Sequence, residues 1–321
     1  MRNNRFQNHI SESSFTLPLC MVMGTLVWFW NSVSLSFDYE NSALWALLFA
    51  ITITYIVFET ANTYALLRIR SRMITSVWVV LISMMAFVHS YHSGWMAALA
   101  LAGSYHLMFS TYQEHEPVLG VFHTFFLLAV AILAVPQLCI LVPLYYWYLL
   151  VFLRCLSWRC FWAGLVGLSL PLCFAIGWCV VTDDYSFVSG RIDTLLHMVL
   201  FPVDRYRGLF SFTSVEALDF LLVSLLSLIG IIHYLRNYYN DKIRTRMYLY
   251  IYVMQTIASW LIVICVPDKW HLMAPVLLLN ASTMIAHFFA LTGSIISNLF
   301  FCLTLIILFL MYIINLGLWI L

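Results

Sequence analysis

Residues 295–321 contain no charged side chain, and apolar runs of the same kind recur along the whole sequence. This recurrence is the strongest constraint on the fold. A chain that is 64% hydrophobic and only 9% charged cannot cover itself with a polar surface in water, where a soluble domain runs nearer about one quarter charged. It needs hydrocarbon around it. In hydrocarbon every backbone N–H and C=O must be bonded internally, which leaves helices or closed barrels. Barrel strands read as short segments of alternating polarity. The runs here are continuous, so the expected fold class is all-α: a polytopic transmembrane helical bundle forming a single membrane domain over residues 1–321.

Charge gaps divide the chain into apolar segments at 15–35, 43–66, 73–88, 95–112, 118–134, 136–153, 160–181, 215–235, 247–266, 272–291 and 295–321. That predicts about eleven helices of roughly the length a bilayer core requires, or about ten with the carboxyl terminus returned to the cytoplasm. Pro136 separates the fifth and sixth segments, where it either kinks one longer element or marks a re-entrant pair. The first segment follows a tail bearing Arg2 and Arg5, the order of a signal peptide, but it is long and carries Trp28 and Trp30, so a retained helix is expected. With the amino terminus in the cytoplasm, the inner turns collect Arg68, Arg70, Arg72, Arg154, Arg159, Arg236, Lys242, Arg244 and Arg246. The outer side receives Arg191, Arg205, Arg207 and Lys269. This is the bias of an inner-membrane protein. A net charge of +1 argues against a nucleic-acid surface. The eight cysteines form no CxxC pattern and read as small apolar residues.

The longest stretch that resists assignment to a spanning helix is 183–214, a large outer loop. It holds Asp183, Asp184, Arg191, Asp193, Asp204, Arg205 and Arg207 around a mildly apolar piece at 194–201, which is too short to span and is expected to rest on the outer helix ends. Arg191, Arg205 and Arg207 suit a phosphate or carboxylate, since each guanidinium offers a planar fork of donors, unless they pair with the loop's own carboxylates. Asp38 and Glu40, in the short first outer turn SFDYEN, are the candidate catalytic acids. Glu59 lies within the second helix, on a polar stripe with Thr52, Tyr55 and Asn62, and is expected to face other helices as structural glue or as an intramembrane binding site. Gly103, His106 and Ser110 share a face, as do Asn280, Thr283 and His287, and Gln255 with Ser259. Such stripes fit either tight packing or a polar cavity. His89 and His92 have a spacing that permits shared metal coordination, but no third ligand is implied, and no metal is expected. GxGxxG, P-loop, HExxH and GxSxG motifs are absent.

The segment RIRSRMITSVWVV, followed from FSTYQEHEPVLG by a Pro-containing double helix, the Arg154-x4-Arg159 turn and a helix with Gly167 and Pro171, resembles a family of uncharacterised polytopic inner-membrane proteins of Bacteroidota-type bacteria. The layout is also loosely similar to polytopic glycosyltransferases that use lipid-phosphate sugar donors. That resemblance implies an essential acid in the first outer loop, where Asp38 and Glu40 stand; lipid-linked glycan polymerases use arginines in a large outer loop, and Arg191, Arg205 and Arg207 resemble that pattern. The resulting expectation is a multi-pass inner-membrane protein that meets an anionic or lipid-linked substrate at its outer face, surrounded by membrane lipid. Glu59 and His106 are additional candidate substrate contacts. The alternatives are a transporter centred on Glu59 and a non-catalytic assembly subunit.

Overall fold

The computed structural model describes residues 5–33, 37–199, 214–266 and 270–320; the side chains of 30–41, 86–87, 187, 196–199, 214–217 and 315–320 fall outside that description. Every regular element among the described residues is a helix, and none is a strand. Each expected apolar segment is built on helix: α2 (Thr16–Val33), α3 (Phe37–Thr63), α4 (Met73–Met84), α5 (Ser93–Ser110), α6 (Val118–Ala134), α7 (Leu141–Trp147), α8 (Trp158–Thr182), α10 (Ser214–Asn237), α11 (Ile243–Cys265), α12 (Trp270–Leu291) and α13 (Ile295–Ile320). Two further helices, α1 (Phe6–Glu12) and α9 (Ser186–Val199), lie outside those segments. Among the described residues six helical stretches are long and apolar enough to cross a membrane: Ser42–Thr63, Trp158–Thr182, Leu218–Asn240, Ile243–Cys265, Trp270–Leu291 and Ile295–Ile314. The bent pair α1 and α2 supplies a seventh if it counts as one span, while Met73–Met84, Val118–Ala134 and Pro136–Phe152 are shorter apolar helices. The protein is therefore a helical membrane protein.

The chain folds into two compact units. One comprises Met1–His92, Phe212–Thr256 and Leu277–Leu321; the other comprises Ser93–Ser211 and Ile257–Val276. In the first unit α4 packs against α2, α3 and α13, and α13 also meets α1 and α10. Gly230 lets α10 reach the backbone of α12: a Cβ there would collide with the Met284 carbonyl. In the second unit α6 packs against both α5 and α8, and Gly167 on α8 serves the same purpose against the Phe122 carbonyl of α6.

The sixth expected helix is broken. A 3-10 segment (Pro136–Ile140) leads into α7, which ends in a π-helical turn (Tyr148–Phe152). The switch has a simple cause. Pro136 cannot donate, and the Leu138 amide bonds the Val135 carbonyl in 3-10 fashion, so the Ala134 carbonyl loses its helical partner.

Candidate functional site

A buried polar constellation lies at one end of the first unit, and it grows from three turns. The first closes α3. Ala65 adopts a left-handed conformation (φ 46°), the Leu66 amide bonds the Ala61 carbonyl, and the Ala65 amide bonds that of Asn62. This pair of bonds is a Schellman motif, which satisfies the last carbonyls of the helix and turns the chain sharply into Arg68–Arg72.

The second turn joins α10 to α11 through a 3-10 segment (Tyr238–Asn240). Arg246 holds it: its Nε donates to the Asp241 carbonyl at 2.8 Å and its Nη2 to that of Tyr239 at 3.4 Å, while the guanidinium lies over the Tyr238 ring. The Tyr234 hydroxyl donates back to the Arg246 carbonyl at 2.9 Å. So fixed, the Asp241 side chain is turned inward and only 1% exposed.

The third turn joins α12 to α13 and is held by α1. That helix has its polar face inward, with Gln7, Asn8 and Ser11 buried. The Gln7 side-chain amide donates to the Phe289 carbonyl at 2.6 Å and to the Thr292 hydroxyl at 2.9 Å, and its carbonyl accepts from the Ser297 hydroxyl at 3.0 Å. The Phe289 carbonyl, in the last turn of α12, is thereby satisfied. Between α1 and α2 the chain bends by 93°. The corner is tied to the α3–α4 turn by the Ser71 hydroxyl, which donates to the Ser11 carbonyl, and by Arg72 Nη1, which donates to that of Ser14 at 3.3 Å.

These turns bring Arg68, Asp241 and His287 together. Arg68 Nε lies 2.8 Å from Asp241 Oδ1. His287 Nε2 lies 3.5 Å from Asp241 Oδ2, and both side chains are buried. The His233 and His287 rings are 5.7 Å apart, and Tyr234 meets His287 edge-on at 5.3 Å. The Gly230–Met284 contact explains this register. Three residues further along each helix, the same face of α10 and α12 presents His233 and His287. A buried carboxylate needs a charged partner, and Arg68 supplies it.

Arg68 is nonetheless 32% exposed. With Arg70 and Arg72 it lines a groove of about 720 Å³ whose wall also includes Glu12, Ser13, Ser14 and Asn62. Arg72 additionally stacks over Phe58 at 5.7 Å. The three guanidinium groups of the groove outnumber the two carboxylates beside them, Glu12 in the wall and Asp241 behind Arg68, so the groove is basic and its donors suit oxygen acceptors.

No family model matches this chain, and no curated protein or solved structure matches it either. Its chemistry is therefore read from its own side chains.

The residues singled out in the sequence fall elsewhere. Asp38 and Glu40, expected in a turn, lie in the first turn of α3, and their side chains fall outside the described residues. Glu59, expected to face neighbouring helices, is exposed one turn from the end of α3 and accepts from the Thr63 hydroxyl at 3.1 Å. Thr52, Tyr55 and Asn62 are exposed with it, so that stripe faces outward. Arg205 and Arg207 lie outside the described residues. Arg191 sits on α9, a fourteen-residue helix that extends the expected apolar piece toward its amino end and packs on α8 and the 3-10 segment. Its Nη1 donates to the Ala134 carbonyl at 2.9 Å, the group orphaned by the break at Pro136. Asp184 starts α9 by accepting from the Ser186 amide at 2.9 Å; the Ser186 hydroxyl first, and this amide second, hold its carboxyl below the ordinary carboxylate range.

His106 is half-buried on α5, as is Gly103, whereas Ser110 is exposed. Asn280, Thr283 and His287 are all buried, and Thr283 is hydrogen-bonded to Tyr252. His89 is a packed histidine: it stacks on Trp28 at 4.1 Å, and its Nε2 lies 3.1 Å from the Ile82 carbonyl. No group of three His, Cys, Asp or Glu among the described residues has a metal-binding arrangement.

Sequence reasoning missed Asp241. Within YYNDK it looks like an ordinary solvated acid. The available signal was the cluster of arginines in the same set of turns, which makes a burial partner for a carboxylate plausible on charge grounds alone.

Proposed function

We propose that this protein is a multi-pass protein of a bacterial inner membrane that binds an anionic substrate in the Arg68–Arg72 groove, at the end that the charge bias assigns to the cytoplasm. The observation that carries this reading is the division of labour at Arg68. Asp241 holds its Nε from the buried side, while the rest of the guanidinium lines an open basic groove. A guanidinium fixed in this way loses little freedom on binding, which is how preorganisation favours affinity. Arg70 is exposed in the same wall and makes no hydrogen bond or ion pair among the described residues, so its donors are available to a ligand.

The anionic substrate expected from the sequence is retained in this reading, but its site moves. Arg191 is engaged with a backbone carbonyl, which suits a structural role. Glu59, exposed beside the end of α3, lacks the enclosure that a coupling site in a transporter needs.

Titration calorimetry of the detergent-solubilised chain with inorganic pyrophosphate tests the proposal. Saturable binding is expected, weakened about tenfold by Arg70→Ala, since one charge-assisted contact contributes on the order of 1.5 kcal/mol. Arg191→Ala is expected to leave it unchanged. Equal binding by the wild type and Arg70→Ala would refute the assignment.

A further inference from the structure

The basic groove does not stand alone. A second cavity of about 320 Å³ lies in the same unit, and its wall is almost wholly apolar: Leu19 on α2, Val80 and Leu81 on α4, Phe301, Leu305 and Leu308 on α13. The two cavities share Ser13, at the corner where α1 bends into α2. Their linings also meet at the start of α4, where Arg72 and Ile74 line the groove and Met73 lines the crevice. Phe15 borders the crevice and is 78% exposed, on the stretch that begins α2.

Resting on the anion reading above, we infer that groove and crevice form one site for a membrane phospholipid, with its phosphate headgroup against Arg68, Arg70 and Arg72 and one acyl chain between α2, α4 and α13. Two features favour this occupant over a soluble anion. An apolar crevice of this size gains nothing from water, whereas in a bilayer an alkyl chain fills it from the side. The polarity also changes in the right place. The arginines belong to the turn at the helix ends, and the crevice runs on along α4 from Met73 to Leu81, as headgroup gives way to chain in a lipid leaflet. Guanidinium forks match phosphate oxygens, which sets the headgroup class.

The test uses the full chain in nonionic detergent and three probes: dioleoyl phosphatidylglycerol, dihexanoyl phosphatidylglycerol and glycerol 3-phosphate. The long-chain lipid is expected to bind at least about tenfold more tightly than glycerol 3-phosphate, with the short-chain lipid between them. Val80→Phe and Leu305→Phe, which fill the crevice from α4 and from α13, are expected to bring the long-chain lipid down toward the soluble probe while leaving glycerol 3-phosphate unaffected. The ranking of the three probes on the wild-type chain stands even if a filled crevice lowers the melting temperature. Equal affinity for all three probes would overturn the lipid inference and leave the anion site standing. Arg70→Ala without effect on any probe would remove both.

Discussion

Arg68 is the residue on which the candidate site turns, because its two roles have separable consequences. Removing it leaves the Asp241 carboxylate buried beside His287 without its cation, and breaking a buried pair from one side costs about 3–5 kcal/mol, toward the lower end here because Arg68 is partly exposed. Arg68→Ala is therefore expected to destabilise the chain by about 3 kcal/mol, and Arg68→Ala with Asp241→Asn by substantially less, since the double variant no longer buries an unpaired charge. Chemical unfolding in mixed micelles measures both. Additive losses would show that the two side chains do not depend on each other. Asp241 also marks the limit of what the sequence reveals at this scale. Its burial depends on Arg246 stapling a turn and on the approach of two other turns distant in the chain, none of which has a local signature. His287 was visible as part of a polar stripe, but its partner was not.

At the scale of elements, the helices were legible because hydrocarbon imposes a length and an absence of charge, and both are written directly into the sequence. Irregular elements were harder. Pro136 announced a break, and the break is there, but the 3-10 segment, the π-helical turn and the carbonyl they orphan follow from backbone bonding that hydropathy does not encode. α1 was missed for a related reason: its buried face is polar, the reverse of the usual amphipathic signal, because it caps the end of α12. The role of Arg191 follows from the same break. Arg191→Ala is expected to destabilise the unit containing α6–α9 by about 1–3 kcal/mol, the cost of leaving a buried carbonyl unbonded. Hydrogen exchange should localise the change to α9 and the Pro136–Ile140 segment. Unaltered exchange there, coupled with weaker pyrophosphate binding, would return Arg191 to the substrate.

At the scale of the whole molecule, the charge bias and the structure converge on one end of the first unit. The turns that carry Arg68–Arg72, Arg244 and Arg246 are joined there by the Arg68–Asp241 pair and by the Thr245 hydroxyl, which donates to the Ala65 carbonyl at 3.4 Å. The sequence assigned these arginines to a common side but gave them only the generic task of orienting the chain. The structure adds that several of them line one groove, next to an apolar crevice. The most direct measurement is photolabelling in bilayers containing a phosphatidylglycerol whose acyl chain carries a diazirine, with the labelled peptides mapped by mass spectrometry. The account predicts crosslinks concentrated on residues 13–20 and 73–81, reduced by Arg70→Ala and by excess unlabelled phosphatidylglycerol. Labelling spread evenly over the exposed helix faces, or concentrated on α9 and unaffected by Arg70→Ala, would contradict it.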